Sequence, residues 1–177
     1  MTRRTCCYTN QAMADETKYA LESVFGPGHE AMTQYTPHAQ YLGLKVVETG
    51  RRFAVMMLPY RPEIVGDPFR KVVFGGAVTT LLDHASGLCV ACSLENLEAI
   101  ATIDLRVDYL RAAEPGCDLY GRTECFRITH TAAFVRGLAW DKDPSDPFAT
   151  SIGAFMIGST PGGGSLSRFL PEGEAKK

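Results

Sequence analysis

Residues 74–88 read "FGGAVTTLLDHASGL", two glycines in front of an amphipathic helical pattern with one carboxylate, Asp83, in its middle. At 100° per residue, Val78, Leu81, Leu82, Ala85, Leu88 and Cys89 fall within about 120° of one another, the apolar stripe of a helix packed on a sheet. The opposite arc collects Gly76, Thr79, Thr80, Asp83, Ser86 and Gly87, all small or short. Such a face accepts close approach by a second backbone or a ligand, whereas a helix facing only water more often carries Lys, Glu and Arg. The plainer reading is helix packing at a protein interface, with Asp83 solvated or hydrogen-bonded. The glycines add another. A helix start leaves unpaired N–H groups and the positive end of the dipole, and residues without Cβ let a ligand oxygen reach them. A Gly-Gly pair also serves as a hinge or tight turn.

Outward from this helix the pattern turns to strands. Before it, "LGLKVVE", the turn "TGRR" and "FAVMMLPY" predict a hairpin, after which Pro59, Pro62 and Pro68 enforce a loop. After it come "LEAIATIDLRVDYLRAAEPG", "CDLYGRTECFRITH", "AAFVRGLAWDKDPSD" and "PFATSIGAFMIG", four β-rich runs separated by turn chemistry, with antiparallel neighbours the simplest connection. One long helix among about six antiparallel strands predicts an α+β fold in which the sheet wraps the helix, since a single helix has only one place to bury its stripe. Residues 1–40 form a mixed lead-in with a helix expected at about 14–24. A single domain is expected over 41–158, and a Gly/Ser/Pro-rich flexible tail over 159–177.

Composition narrows the function. The chain has 177 residues, 45% hydrophobic and 21% charged, which suits one globular domain with a proper core. Its formal charge is −2 and no basic run exceeds two residues, so no nucleic-acid partner is expected. The start lacks the apolar core of a signal peptide and no apolar stretch is long enough to span a bilayer, so the expected location is cytoplasmic, away from membranes. Six cysteines without a secretory context read as reduced thiols. Cys89 and Cys92 form a C-x-x-C, half of a zinc or redox pair in principle. They lie in a helical apolar pattern, where cysteine acts as a small hydrophobe, and Cys117 and Cys125 make no second close pair. His29, His38, His84 and His130 show no ligand spacing, so no metal is expected.

Gly75 and Asp83 are eight residues apart, roughly 12 Å along a helix, too far for one carbonyl group to touch both. If the two act on one bond, a two-fold dimer in which the amide of one chain faces the carboxylate of the other is the simplest solution.

The set "GDPFRKVVFGGAVTTLLDHASGL", "ATIDLRVDYLRAAEPG", "AFVRGLAW" and "PFATSIGAFMIG", in this order, resembles the hotdog-fold acyl-CoA thioesterases of the phenylacetate-pathway (PaaI-like) type over about residues 40–158. The resemblance implies hydrolysis of acyl-CoA to free acid and CoA, with coenzyme A part of the substrate and no separate cofactor. It makes Asp83 the general base or nucleophile, and the Gly75 N–H the group that polarises the thioester carbonyl. Thr102 would hold a hydroxyl near the attacking water; as a plain strand residue it would alternate outward with Asp104, Arg106 and Asp108. Asp67 stands where the family has a catalytic asparagine, and Phe74 where it has a histidine that hydrogen-bonds beside the carbonyl. Phe74, Gly76, Tyr109, Arg111, Arg127 and His130 are the implied substrate-binding positions, the last three for coenzyme phosphates or else a solvated strand edge. A homodimer, or a dimer of dimers, is implied. Phe74 and Asp67 also motivate an alternative, a non-catalytic acyl-CoA-binding or regulatory hotdog protein. A hotdog hydratase would need Asp83 and a histidine together, and His84 is turned about 100° from Asp83.

Overall fold

The structure, a computed structural model, describes Thr33, residues 36–96 and residues 98–158. The helix expected at 14–24, the tail from 159 onward, and Cys6, Cys7 and His29 lie outside the described residues. A short helix α1 (Pro37–Leu42) leads into the hairpin β1 (Lys45–Gly50) and β2 (Phe53–Leu58). The proline-rich loop follows, carrying the short strands β3 (Val65–Asp67) and β4 (Val72–Val73). Then come the long helix α2 (Gly75–Ala91) and the strands β5 (Ile100–Tyr109), β6 (Leu119–Ile128), β7 (Ala132–Trp140) and β8 (Ala149–Ile157).

The expectation of an α+β fold with six antiparallel strands around one helix holds, and every ladder of the large sheet is antiparallel. Its order is β1-β2-β6-β7-β8-β5, so β5 crosses the sheet to pair with β8 instead of its sequence neighbour β6. That crossover leaves β5 at an edge, beside α2.

Three details differ from the sequence reading. The lead-in just before the expected strand forms α1, which takes in Leu42 and so delays the strand to Lys45, because Pro37 suits the first helical turn and Gly43, at φ 70°, ends it in the left-handed region. The proline loop is partly ordered into a single 3-10 turn (Pro62–Ile64) and the two-strand ladder of β3 and β4. The buried side of α2 is also wider than one stripe. Ala77, Ser86, Val90 and Ala91 are buried along with the six stripe residues, so burial extends over roughly 260° of the helix. The curved sheet covers most of the circumference and α1 touches another side. Ser86 therefore belongs to the core side. The open arc narrows to Gly76, Thr80, Asp83 and Gly87, with Asp83 inside it.

The curvature has an identifiable source. One extra residue interrupts the ladders of β1, β5 and β6, at Val47, Ile103 and Phe126 respectively. A bulge bends its strand and increases the twist. Each of the three extra residues is apolar and exposed, from 42% to 58%. Inside the curve, Leu81, Leu82, Leu88, Met56, Leu58 and Leu119 are fully buried, each worth roughly 1.5–3 kcal/mol of transfer free energy. Leu81 lies over Gly121 of β6, where a Cβ would come to 3.2 Å of it, so the glycine lets helix and sheet approach.

Candidate active site

Asp83 is held from the sheet edge. The Thr102 hydroxyl on β5 donates to Asp83 Oδ1 at 2.9 Å. Thr102 therefore faces the helix, where strict alternation would have turned it outward with Asp104, Arg106 and Asp108. The bulge explains this: Ile103 is the surplus residue, and inward-facing positions switch from Ile100 and Thr102 before it to Leu105, Val107 and Tyr109 after it.

At the start of α2 no side chain caps the helix, and among the described residues nothing bonds the N–H groups of Gly75 and Gly76. The third, that of Ala77, is taken up by the Phe74 carbonyl at 3.0 Å. Two adjacent amides therefore remain open at the positive end of the dipole. Tyr109, also on β5, donates its hydroxyl to the Gly75 carbonyl at 2.7 Å and lies 3.2 Å from the Thr79 hydroxyl. A Cβ on Gly75 would meet that hydroxyl at 3.0 Å. The Phe74 ring, 63% exposed, lies between Gly66 and Gly76, and a Cβ on Gly76 would come to 2.5 Å of it. A cavity of about 380 Å³ opens here, lined by Val73, Gly75, Val78, Tyr109, Leu110 and Phe148 among others. A larger hollow of about 440 Å³ lies over Gly137, between Arg122, Glu124 and Arg136, and holds none of the expected site residues.

The remaining positions are placed as follows. Asp67 Oδ1 accepts the N–H groups of Phe69 and Arg70 at 2.9 and 3.0 Å, so its carboxylate is tied into its own turn. Arg111 lines the cavity with its guanidinium clamped by Asp141, at 2.7 and 2.9 Å, and by the Asp146 carbonyl at 2.8 Å. Arg127 and His130 are both exposed near the β6–β7 turn. The ladders put that turn beside Met156 and the Arg111 end of β5 beside Ala149, seven residues of β8 and roughly 23 Å away. One chain thus does not bring Arg111 together with Arg127 and His130. His84 is half-buried, and burial lowers its pKa while the charge of Asp83 opposes that shift. Cys89 and Cys92 are buried thiols, neither of them in a disulfide. Thr79 and Asp141 are the participants that sequence reasoning did not single out. Thr79 had a signal, its place on the small-residue arc, whereas Asp141 sits in a segment legible only as a turn.

One long helix wrapped by six antiparallel strands is the hotdog architecture of the thioesterases, and comparison with known proteins agrees. The Thioesterase superfamily model matches residues 70–147. The Salmonella typhimurium protein YigI, named a medium/long-chain acyl-CoA thioesterase, is 34% identical over 142 residues, covering 73% of this chain and 90% of that protein. Its Escherichia coli counterpart of the same name is 32% identical over 120 residues, covering 60% and 71%. A Pseudomonas aeruginosa protein of known crystal structure is 42% identical with a TM-score of 0.65, covering 71% of this chain and 93% of that one. The Escherichia coli PaaI structure shares the fold at 16% identity and a TM-score of 0.65, covering 73% and 90%. The chain belongs to the thioesterase superfamily, and its class is that of a thioester-hydrolysing enzyme.

Proposed function

We propose that the protein hydrolyses acyl-CoA, with Asp83 as general base or nucleophile and the Gly75 N–H polarising the thioester carbonyl. The observation that carries this reading is the Thr102–Asp83 bond, which turns a carboxylate of the open helix arc toward the sheet edge. In the general-base form, Asp83 takes a proton from water as its oxygen attacks the carbonyl carbon. The oxyanion rests on the helix-start amide, and collapse breaks the C–S bond while the proton passes to the departing CoA sulfur. The names of the YigI relatives and the apolar cavity lining support a medium or long acyl chain.

The site is completed in a dimer. β5 is an edge strand, and an edge offers unpaired N–H and C=O groups to another chain. Thr102 near one end of β5 holds Asp83, and Tyr109 at the other holds Gly75. Antiparallel pairing of two copies of β5, centred between Leu105 and Arg106, sets the Thr102 end of one against the Tyr109 end of the other. The carboxylate of one copy then faces the helix start of the second. The exposed Ile103, Tyr109 and Leu110 lie along this edge.

The test is thiol release from a panel of acyl-CoAs of increasing chain length. Turnover with an optimum at medium or long chains is expected, and no release from any of them overturns the proposal.

A further inference from the structure

We propose that Tyr109 is a positioning residue for the oxyanion site, acting on the peptide between Gly75 and Gly76, and that the Gly76 N–H is a second oxyanion donor beside that of Gly75. The inference rests on the thioesterase reading above. The Gly75 carbonyl and the Gly76 N–H are two ends of one rigid peptide plane, so a group that fixes the first fixes the direction of the second. Tyr109 fixes it at 2.7 Å from a different element, the edge strand. With its single proton committed to Gly75, the tyrosine oxygen accepts from the Thr79 hydroxyl at 3.2 Å, which holds the phenol from its other side.

The bond also changes the donor itself. A peptide carbonyl that accepts an additional hydrogen bond is polarised, and its N–H becomes a stronger donor in turn. The chain Thr79 O–H to Tyr109 O–H to the Gly75 carbonyl therefore ends on the Gly76 N–H, one of the two helix-start amides left open among the described residues. The same contact accounts for residue 75 being glycine, since a Cβ there would meet the Tyr109 hydroxyl at 3.0 Å. Tyr109 itself need not touch the substrate.

Tyr109→Phe keeps the ring and removes only the hydroxyl. The expected result is a kcat lower by about tenfold, less than the hundredfold or more that follows loss of an oxyanion donor itself. KM and melting temperature should stay near wild type, the pattern of an interaction felt in the transition state. Thr79→Val should lower kcat in the same direction by less, and Thr79→Ser, which keeps the hydroxyl, should restore it. A wild-type kcat in Tyr109→Phe overturns the proposal, as does a loss that comes with a raised KM and a lower melting temperature, the mark of a merely structural role. Asp83→Asn in the same assay keeps the two readings apart. If it is severe while Tyr109→Phe is silent, only the role of Tyr109 falls, and if it is silent the reaction assignment itself falls.

Discussion

Thr102 Oγ1 donates to Asp83 Oδ1 at 2.9 Å, joining the edge strand of the sheet to the middle of the central helix. The bond occupies one carboxylate oxygen, and the proposed reaction assigns the proton transfer to the other. It also makes the aim of the Asp83 carboxylate a property of β5, so whatever shapes the edge strand shapes the orientation of that side chain.

Replacing Asp83 by Asn keeps the volume and a hydrogen-bonding oxygen for Thr102 but removes the charge and the basicity. Turnover on the best acyl-CoA of the panel should fall by at least about a hundredfold, the scale of a positioned acid or base. Melting temperature and acyl-CoA affinity should change little. Wild-type turnover in this variant would leave Asp83 an ordinary interface residue.

Phe74→His should raise turnover. The Phe74 ring lies against Gly76, and an imidazole in its place brings a hydrogen-bonding group beside the open amides. Steady-state kcat decides the matter, and an unchanged or lower value would show that the ring is not a missing polar group.

In solution the protein should be at least a dimer. Light scattering at micromolar concentration, with activity measured on the same samples, tests this. A stable monomer that retains activity contradicts a site shared between two chains.

Asp141 should carry an acid-sensitive part of the stability. Burial alone would raise its carboxyl pKa, but hydrogen bonds from Arg111 and from the N–H groups of Glu114 and Lys142 outweigh burial and lower it from 3.8 to about 2. Its side chain is only 2% exposed. A pKa lowered by folding stabilises the folded state fully above the unfolded value near 4, and that contribution is lost as pH falls from about 4 to about 2. The shift corresponds to about 2 kcal/mol. Melting curves between pH 7 and pH 2 should show this loss in the wild type, and Asp141→Asn should be less stable at pH 7 and flatter over the acid range.

The helix and the strands were legible because they follow from periodicity: the apolar spacing of residues 78–89 and the β-rich runs on either side carry their own signal. Asp83, Gly75 and Thr102 were legible because they fall in an ordered set of motifs. What stayed hidden depends on contacts between distant residues. The Arg111–Asp141 clamp spans 30 positions and the Tyr109–Gly75 bond 34, and neither leaves a local trace. The facing of Thr102 was hidden for another reason. Alternation predicts orientation only in a regular strand, and the irregularity at Ile103 is set by pairing with β8.

That irregularity inverts the usual tolerance of a strand to deletions. In a regular strand, losing two residues preserves which side each side chain faces and losing one reverses it. Between Thr102 and Tyr109 there are seven steps, one of them absorbed at Ile103. Loss of a single residue would straighten the strand and leave six steps, with both hydroxyls still turned to the helix. Loss of two would leave five, turning one hydroxyl away or, if the kink persisted, drawing the two anchors closer together than the stretch of helix they hold.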